Sequence, residues 1–86
     1  MIIVYYIWYN IRQNGKNTTM EVDAVKLREL RERQALSLRE LSALSEVNYN
    51  SIWRIEAGRT GAKPRTVRRL ATALGVEPHE LLKGKE

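Results

Sequence analysis

Eighty-six residues with 15 Lys and Arg against 10 Asp and Glu, a formal charge of +5, describe one small basic domain, because a chain this short cannot bury two independent cores. With no cysteine and a single histidine, disulfides and thiolate metal sites are excluded and His79 cannot assemble a metal site alone, so no metal is expected, and the charge excess favours a polyanionic partner through attraction and counterion release. The chain opens on MIIVYYIWY, nine apolar or aromatic residues, well short of the roughly 20 that cross a bilayer as a helix. It lacks the basic start and small-residue cleavage site of a secretory signal, so a cytoplasmic protein with no membrane attachment is expected. Both alternating sets, Ile3, Tyr5, Ile7, Tyr9 and Ile2, Val4, Tyr6, Trp8, are apolar, so a strand here needs cover on both faces, as in a dimer interface. With the turn-prone Asn14-Gly15 behind it, residues 1–19 read as a strand plus linker. A second reading leaves them a loosely packed leader, with Met20 as the true start.

Residues 20–86 switch to a helical period and form the expected domain. Asp23 caps a first amphipathic stretch that includes Leu27, Leu30 and Arg31, takes in Val22, and ends near Gln34 and Ala35. Ser37-Leu38-Arg39-Glu40 fits a capping box, in which hydroxyl and carboxylate each satisfy an orphaned backbone donor. That second helix runs through Leu41 and Leu44 and stops around Ser45; Glu46-Val47 turn the chain, and Asn48 caps a third helix to Ala57, closed by left-handed Gly58. Pro64 opens a fourth helix with the apolar set Val67, Leu70, Ala71 and Leu74, closed by Gly75. Pro78 starts a short fifth, with Leu81 and Leu82 inward. The expected fold class is all-α: a compact five-helix domain preceded by a short apolar segment.

At about 100° per residue, Ser51, Ile52 and Ile55 fall on one side of the third helix, and Tyr49, Asn50, Trp53, Arg54 and Ala57 on the other. The outward side offers an amide, a guanidinium and two large aromatics, and no acid. Base edges reward such groups: Asn bridges adenine, Arg bridges guanine, and each good pair discriminates by roughly 1 to 3 kcal/mol. From Arg54 to Arg69, the cations Arg54, Arg59, Lys63, Arg65, Arg68 and Arg69 face a single acid, Glu56.

The stretch LRELRERQALSLRELSALSEVNYNSIWRIEAG, with ALGVEPHELLKG behind it, resembles the Cro and phage-repressor type (xenobiotic-response-element) helix-turn-helix family over about residues 22–84. Its framework positions are matched by Leu36-Ser37, Glu40-Leu41, Val47, Ile52, Ile55-Glu56, Gly58, Pro64 and Ala73-Leu74-Gly75-Val76. The resemblance implies a repressor-like transcriptional regulator of double-stranded DNA, its third helix in the major groove, presented twice by a homodimer to a roughly palindromic operator. Tyr49, Asn50 and Arg54 match base-reading positions, with Trp53 between them. Ser37, Arg59 and Arg65 match positions at the sugar-phosphate backbone, and loop placement adds Thr60 and Lys63. The resemblance further implies an ion pair between Arg31 and Glu56 beneath the third helix.

Four positions depart from the family pattern. Ala35 and Glu46 stand where Gly or a small residue is common, which predicts left-handed backbone at a steric cost of about 1 kcal/mol or more. Leu38 replaces the polar residue, often Gln, that touches phosphate in many relatives. Trp53 is an exposed indole that suits thymine methyls, sugar or another protein, and the aromatic leader could fold back onto it. No cysteine nucleophile, Ser-His-Asp set, Gly-rich phosphate loop or paired carboxylates support catalysis, so neither an enzyme nor a cofactor is expected. The alternative function is a protein-interaction module, such as an antitoxin that grips a toxin through the leader or Trp53.

Overall fold

The computed structural model describes residues 19–84, and the strand reading of the leader and its folding back onto Trp53 lie outside these residues. Helix α1 spans Ala24–Arg33, α2 Leu38–Ser45, α3 Tyr49–Glu56 and α4 Pro64–Leu74; a 3-10 helix, Pro78–Leu81, follows. The fifth element is thus a single 3-10 turn rather than an α-helix. Its four residues run from Pro78 to Leu81 and an extended Leu82 follows, too short a stretch for successive i to i+4 bonds. No helix among the described residues is long and apolar enough to cross a membrane.

Local chemistry sets the helix starts. Asp23 Oδ1 accepts the Lys26 amide at 3.1 Å. Ser37 closes a reciprocal box with Glu40, Glu40 N to Ser37 Oγ at 3.0 Å and Ser37 N to Glu40 Oε1 at 2.8 Å. Three helices end alike: α1, α3 and α4 close on left-handed Ala35, Gly58 and Gly75, with φ of 58°, 74° and 75°. In each, two amides turn back to the last carbonyls, for α1 Leu36 N to Arg31 O at 3.1 Å and Ala35 N to Glu32 O at 2.9 Å. The turn between α2 and α3 holds Glu46 at φ 60°, as its place in the pattern predicts. Around it, Ser42 Oγ donates to Val47 O at 2.6 Å and Ser45 Oγ to Leu41 O at 2.7 Å.

The helices enclose one core of Leu27, Leu30, Leu41, Val47, Ile52, Ile55, Val67, Leu70, Ala71, Leu74 and Leu81. Val22 belongs to it but lies ahead of α1 rather than on it, on an extended strap that pairs with two distant segments: Met20 with Ala62, and Val22 with Leu82. The first pair is closed by Met20 N to Ala62 O at 2.7 Å and Ala62 N to Met20 O at 3.0 Å. A Cβ on Gly61 would lie 2.2 Å from Met20 O, so the strap reaches the loop before α4 only because residue 61 has no side chain. Leu44, one turn from buried Leu41, is 60% exposed.

Candidate nucleic-acid interface

Helix α3 is eight residues long, and its burial follows its sequence: Ile52 and Ile55 are buried, Ser51 is half-buried, and Tyr49, Asn50, Trp53 and Arg54 are exposed. Asn48 Oδ1 accepts the Asn50 amide at 2.8 Å, which fixes the first turn. The other end is held from below. Arg31 of α1 grips Glu56 in a two-point fork, Nε to Oε2 at 2.7 Å and Nη2 to Oε1 at 2.9 Å, while its Nη1 donates to Leu36 O at 2.8 Å. With the Arg31 and Glu56 side chains only 12% and 8% exposed, the pair ties α1, the loop after it and the end of α3 into one rigid base. The hydrogen bond to Glu56 holds the Arg31 pKa above its ordinary value against the opposing pull of burial, so this guanidinium stays charged at any pH a folded protein meets.

The backbone-contact residues expected from sequence fall in three places. Thr60, Lys63 and Arg65 line one cleft of about 370 Å³ together with Arg54, Ser51 and Thr66, so a base-reading candidate and two cations share a concave wall. Lys63 caps α4 without a side-chain hydrogen bond, and Pro64 takes the first helical position; the unpartnered amides of the first turn add partial positive charge there. Ser37 stands apart at the start of α2. Its oxygen accepts from Glu40, which leaves the hydroxyl proton to donate outward. Arg59 points elsewhere again, its Cζ 5.1 Å from the centroid of the Trp53 ring.

A similar stack occurs one turn earlier, where Arg39 of α2 lies with its Cζ 4.9 Å from the Tyr49 ring centroid. Sequence reasoning assigned Arg39 no role in the site, and no spacing along the chain marks it, because its place beside Tyr49 is set by the packing of α2 against α3. Arg69 Nη1, from α4, lies 3.4 Å from Glu46 O at the turn between α2 and α3. Leu38, one of the departures from the family pattern, is half-buried and packs on the core. Among the described residues, no group of three or more His, Asp or Glu side chains could hold a metal ion.

The chain is similar to known proteins. Residues 24–83 match the family described as helix-turn-helix domain. The chain is 33% identical over 61 residues to the HTH-type transcriptional regulator DdrOP3 of Deinococcus deserti, a match covering 71% of this chain and 47% of that protein. It therefore spans about half the length of that relative. Its fold is similar to the crystal structure of the restriction-modification controller protein C.AhdI from Aeromonas hydrophila, with a TM-score of 0.65 and 36% identity over 69% of this chain and 89% of that one.

Proposed function

This chain belongs to the helix-turn-helix domain family, and from that premise we propose that it is a transcriptional regulator that binds double-stranded DNA sequence-specifically, with α3 in the major groove. The observation that carries this reading is the outward face of α3. Tyr49, Asn50, Trp53 and Arg54 are exposed together with no acid among them, and the cleft beside Arg54 contains Thr60, Lys63 and Arg65. Asn50 and Arg54 read base edges, while Ser37, Arg59, Thr60, Lys63 and Arg65 hold the sugar-phosphate backbone and set register. Arg31 and Glu56 keep α3 at a fixed height above the core.

Eight residues at about 1.5 Å each span roughly 12 Å, enough for a few base pairs, so useful specificity calls for two copies on a roughly palindromic operator. The exposed Trp53 also suits a protein partner such as a toxin. Arg59 over its ring presents a charge there instead, which favours a polyanion. In this reading the domain, residues 20–86, is non-enzymatic and uses no cofactor, and residues 1–19 form a separate leader.

Selection of bound sites from a random duplex pool, followed by titration of the recovered site and of unrelated duplex, tests the proposal. An inverted repeat bound by two chains is the expected product. No association with any duplex in low-salt buffer would overturn it.

A further inference from the structure

We infer that the two aromatic side chains of α3 are positioning residues: Trp53 holds the Arg59 guanidinium and Tyr49 that of Arg39, so that a phosphate-seeking cation is held on each ring of the recognition helix. The inference rests on the DNA-binding reading above. It goes further by moving Trp53 and Tyr49 from sequence choice to affinity and by adding Arg39 to the interface.

Both guanidinium carbons lie within the roughly 6 Å at which a cation is held over an aromatic face, at 5.1 Å for Arg59 on Trp53 and 4.9 Å for Arg39 on Tyr49. The two rings are four residues apart and therefore neighbours on one helical face, but their cations arrive from different elements. Arg39 comes from α2. Arg59 follows left-handed Gly58, and its own amide donates to Arg54 O at 3.0 Å, so its backbone is pinned against the end of α3. Among the described residues, neither arginine has a carboxylate partner.

The ring stack is therefore what orders these two long side chains before any ligand arrives, and a side chain already ordered loses less entropy on binding. Chemistry favours the guanidinium over the ring as the group that meets DNA: it carries a full charge and five donors, whereas indole offers one N–H and phenol one O–H. Phosphates run along both walls of the major groove, about 12 Å apart. Cations held on the rings of the reading helix suit those phosphates, with Asn50 and Arg54 left for the base edges.

Titration of the selected site and of unrelated duplex with Trp53→Leu, Arg59→Ala and the double variant tests this. Trp53→Leu is expected to weaken binding roughly two- to fivefold, the range of an exposed cation–ring contact. The factor should be equal on both duplexes, the salt slope shallower, and the effect absent in the Arg59→Ala background; Trp53→Phe should restore most of the loss. Tyr49→Leu should behave likewise against Arg39→Ala. A loss confined to the selected site, or equal in both backgrounds, overturns the inference.

The stack is tested separately without DNA. The chain has two tryptophans, so Trp8→Phe leaves Trp53 as the sole tryptophan, whose indole is read by excitation at the red edge where the tyrosines do not absorb. Adding Arg59→Ala should then shift its emission and raise quenching by acrylamide. Unchanged emission and quenching overturn the stack, whereas failure of the wild-type chain to bind any duplex overturns the DNA-binding reading on which the inference rests.

Discussion

Arg54 and Arg59 lie five residues apart and carry the same charge, yet they should fail differently when removed. Arg54 projects from α3 itself, beside the cleft of Lys63 and Arg65; Arg54→Ala should therefore cost about 1 to 3 kcal/mol on the selected site and relax preference at one base pair. Arg59→Ala should lower affinity about equally on all sequences and flatten the salt slope by about one. Parallel titrations on selected and random duplex at several salt concentrations separate the two. Stability offers an independent check at the same scale. Ala35 and Glu46 hold φ of 58° and 60°, a conformation costly for any residue with a Cβ. Ala35→Gly and Glu46→Gly should each raise stability by up to about 1 kcal/mol, the relief of strain outweighing the extra freedom of glycine in the unfolded chain. Urea denaturation measures it.

Helix α3 is eight residues long and could not persist alone in water, so its orientation depends on what it rests upon. The Arg31–Glu56 fork supplies one support, at 12% and 8% side-chain exposure. Glu56→Ala strands the Arg31 charge in that half-dry setting and should destabilise the domain by about 3 kcal/mol or more, on the order of 15 °C in Tm for a domain of this size. The strap supplies another. Gly61→Ala would drive a methyl group into Met20 O, so it should open the Met20–Ala62 pair and free the loop that carries Thr60 and Lys63. Faster amide exchange at Ala62 and weaker binding on every duplex are the expected signs.

At the scale of the molecule, the +5 charge includes three cations close to the exposed residues of α3: Arg59 over the Trp53 ring, and Lys63 and Arg65 in the cleft that Arg54 lines. If two copies each bring these three cations to phosphate, log affinity should fall with log salt at a slope of about −5. A slope near −1 would show that the cations stay in solvent. The strap also defines how much of the chain the domain needs. Removing residues 1–19 keeps Met20, Val22 and both backbone pairs, and the truncated chain should retain a cooperative thermal transition. Removing residues 1–22 deletes a core residue and both pairs and should lower that transition sharply.

Helix positions were legible from sequence because their signals are local. Asp23, Ser37-Glu40, Asn48, Gly58, Pro64 and Gly75 each act within a turn of where they stand, and the spacing of Leu27, Leu30, Ile52, Ile55, Val67 and Leu70 marks the faces to be buried. The outward set on α3 followed from the same periodicity, and the pairing of Arg31 with Glu56 from resemblance rather than pattern. Local signals were silent on contacts between different segments of the chain. Val22 pairing with Leu82, Gly61 making room for Met20, and Arg39 and Arg59 settling on Tyr49 and Trp53 depend on how packed helices bring separate segments together. The sequence by itself therefore determined which residues form the four α-helices and which face of α3 is turned outward, since those outcomes rest on interactions within a few residues. Only the tertiary structure decided where each cation points, since a long, flexible arginine takes its direction from whatever surface the fold sets beside it.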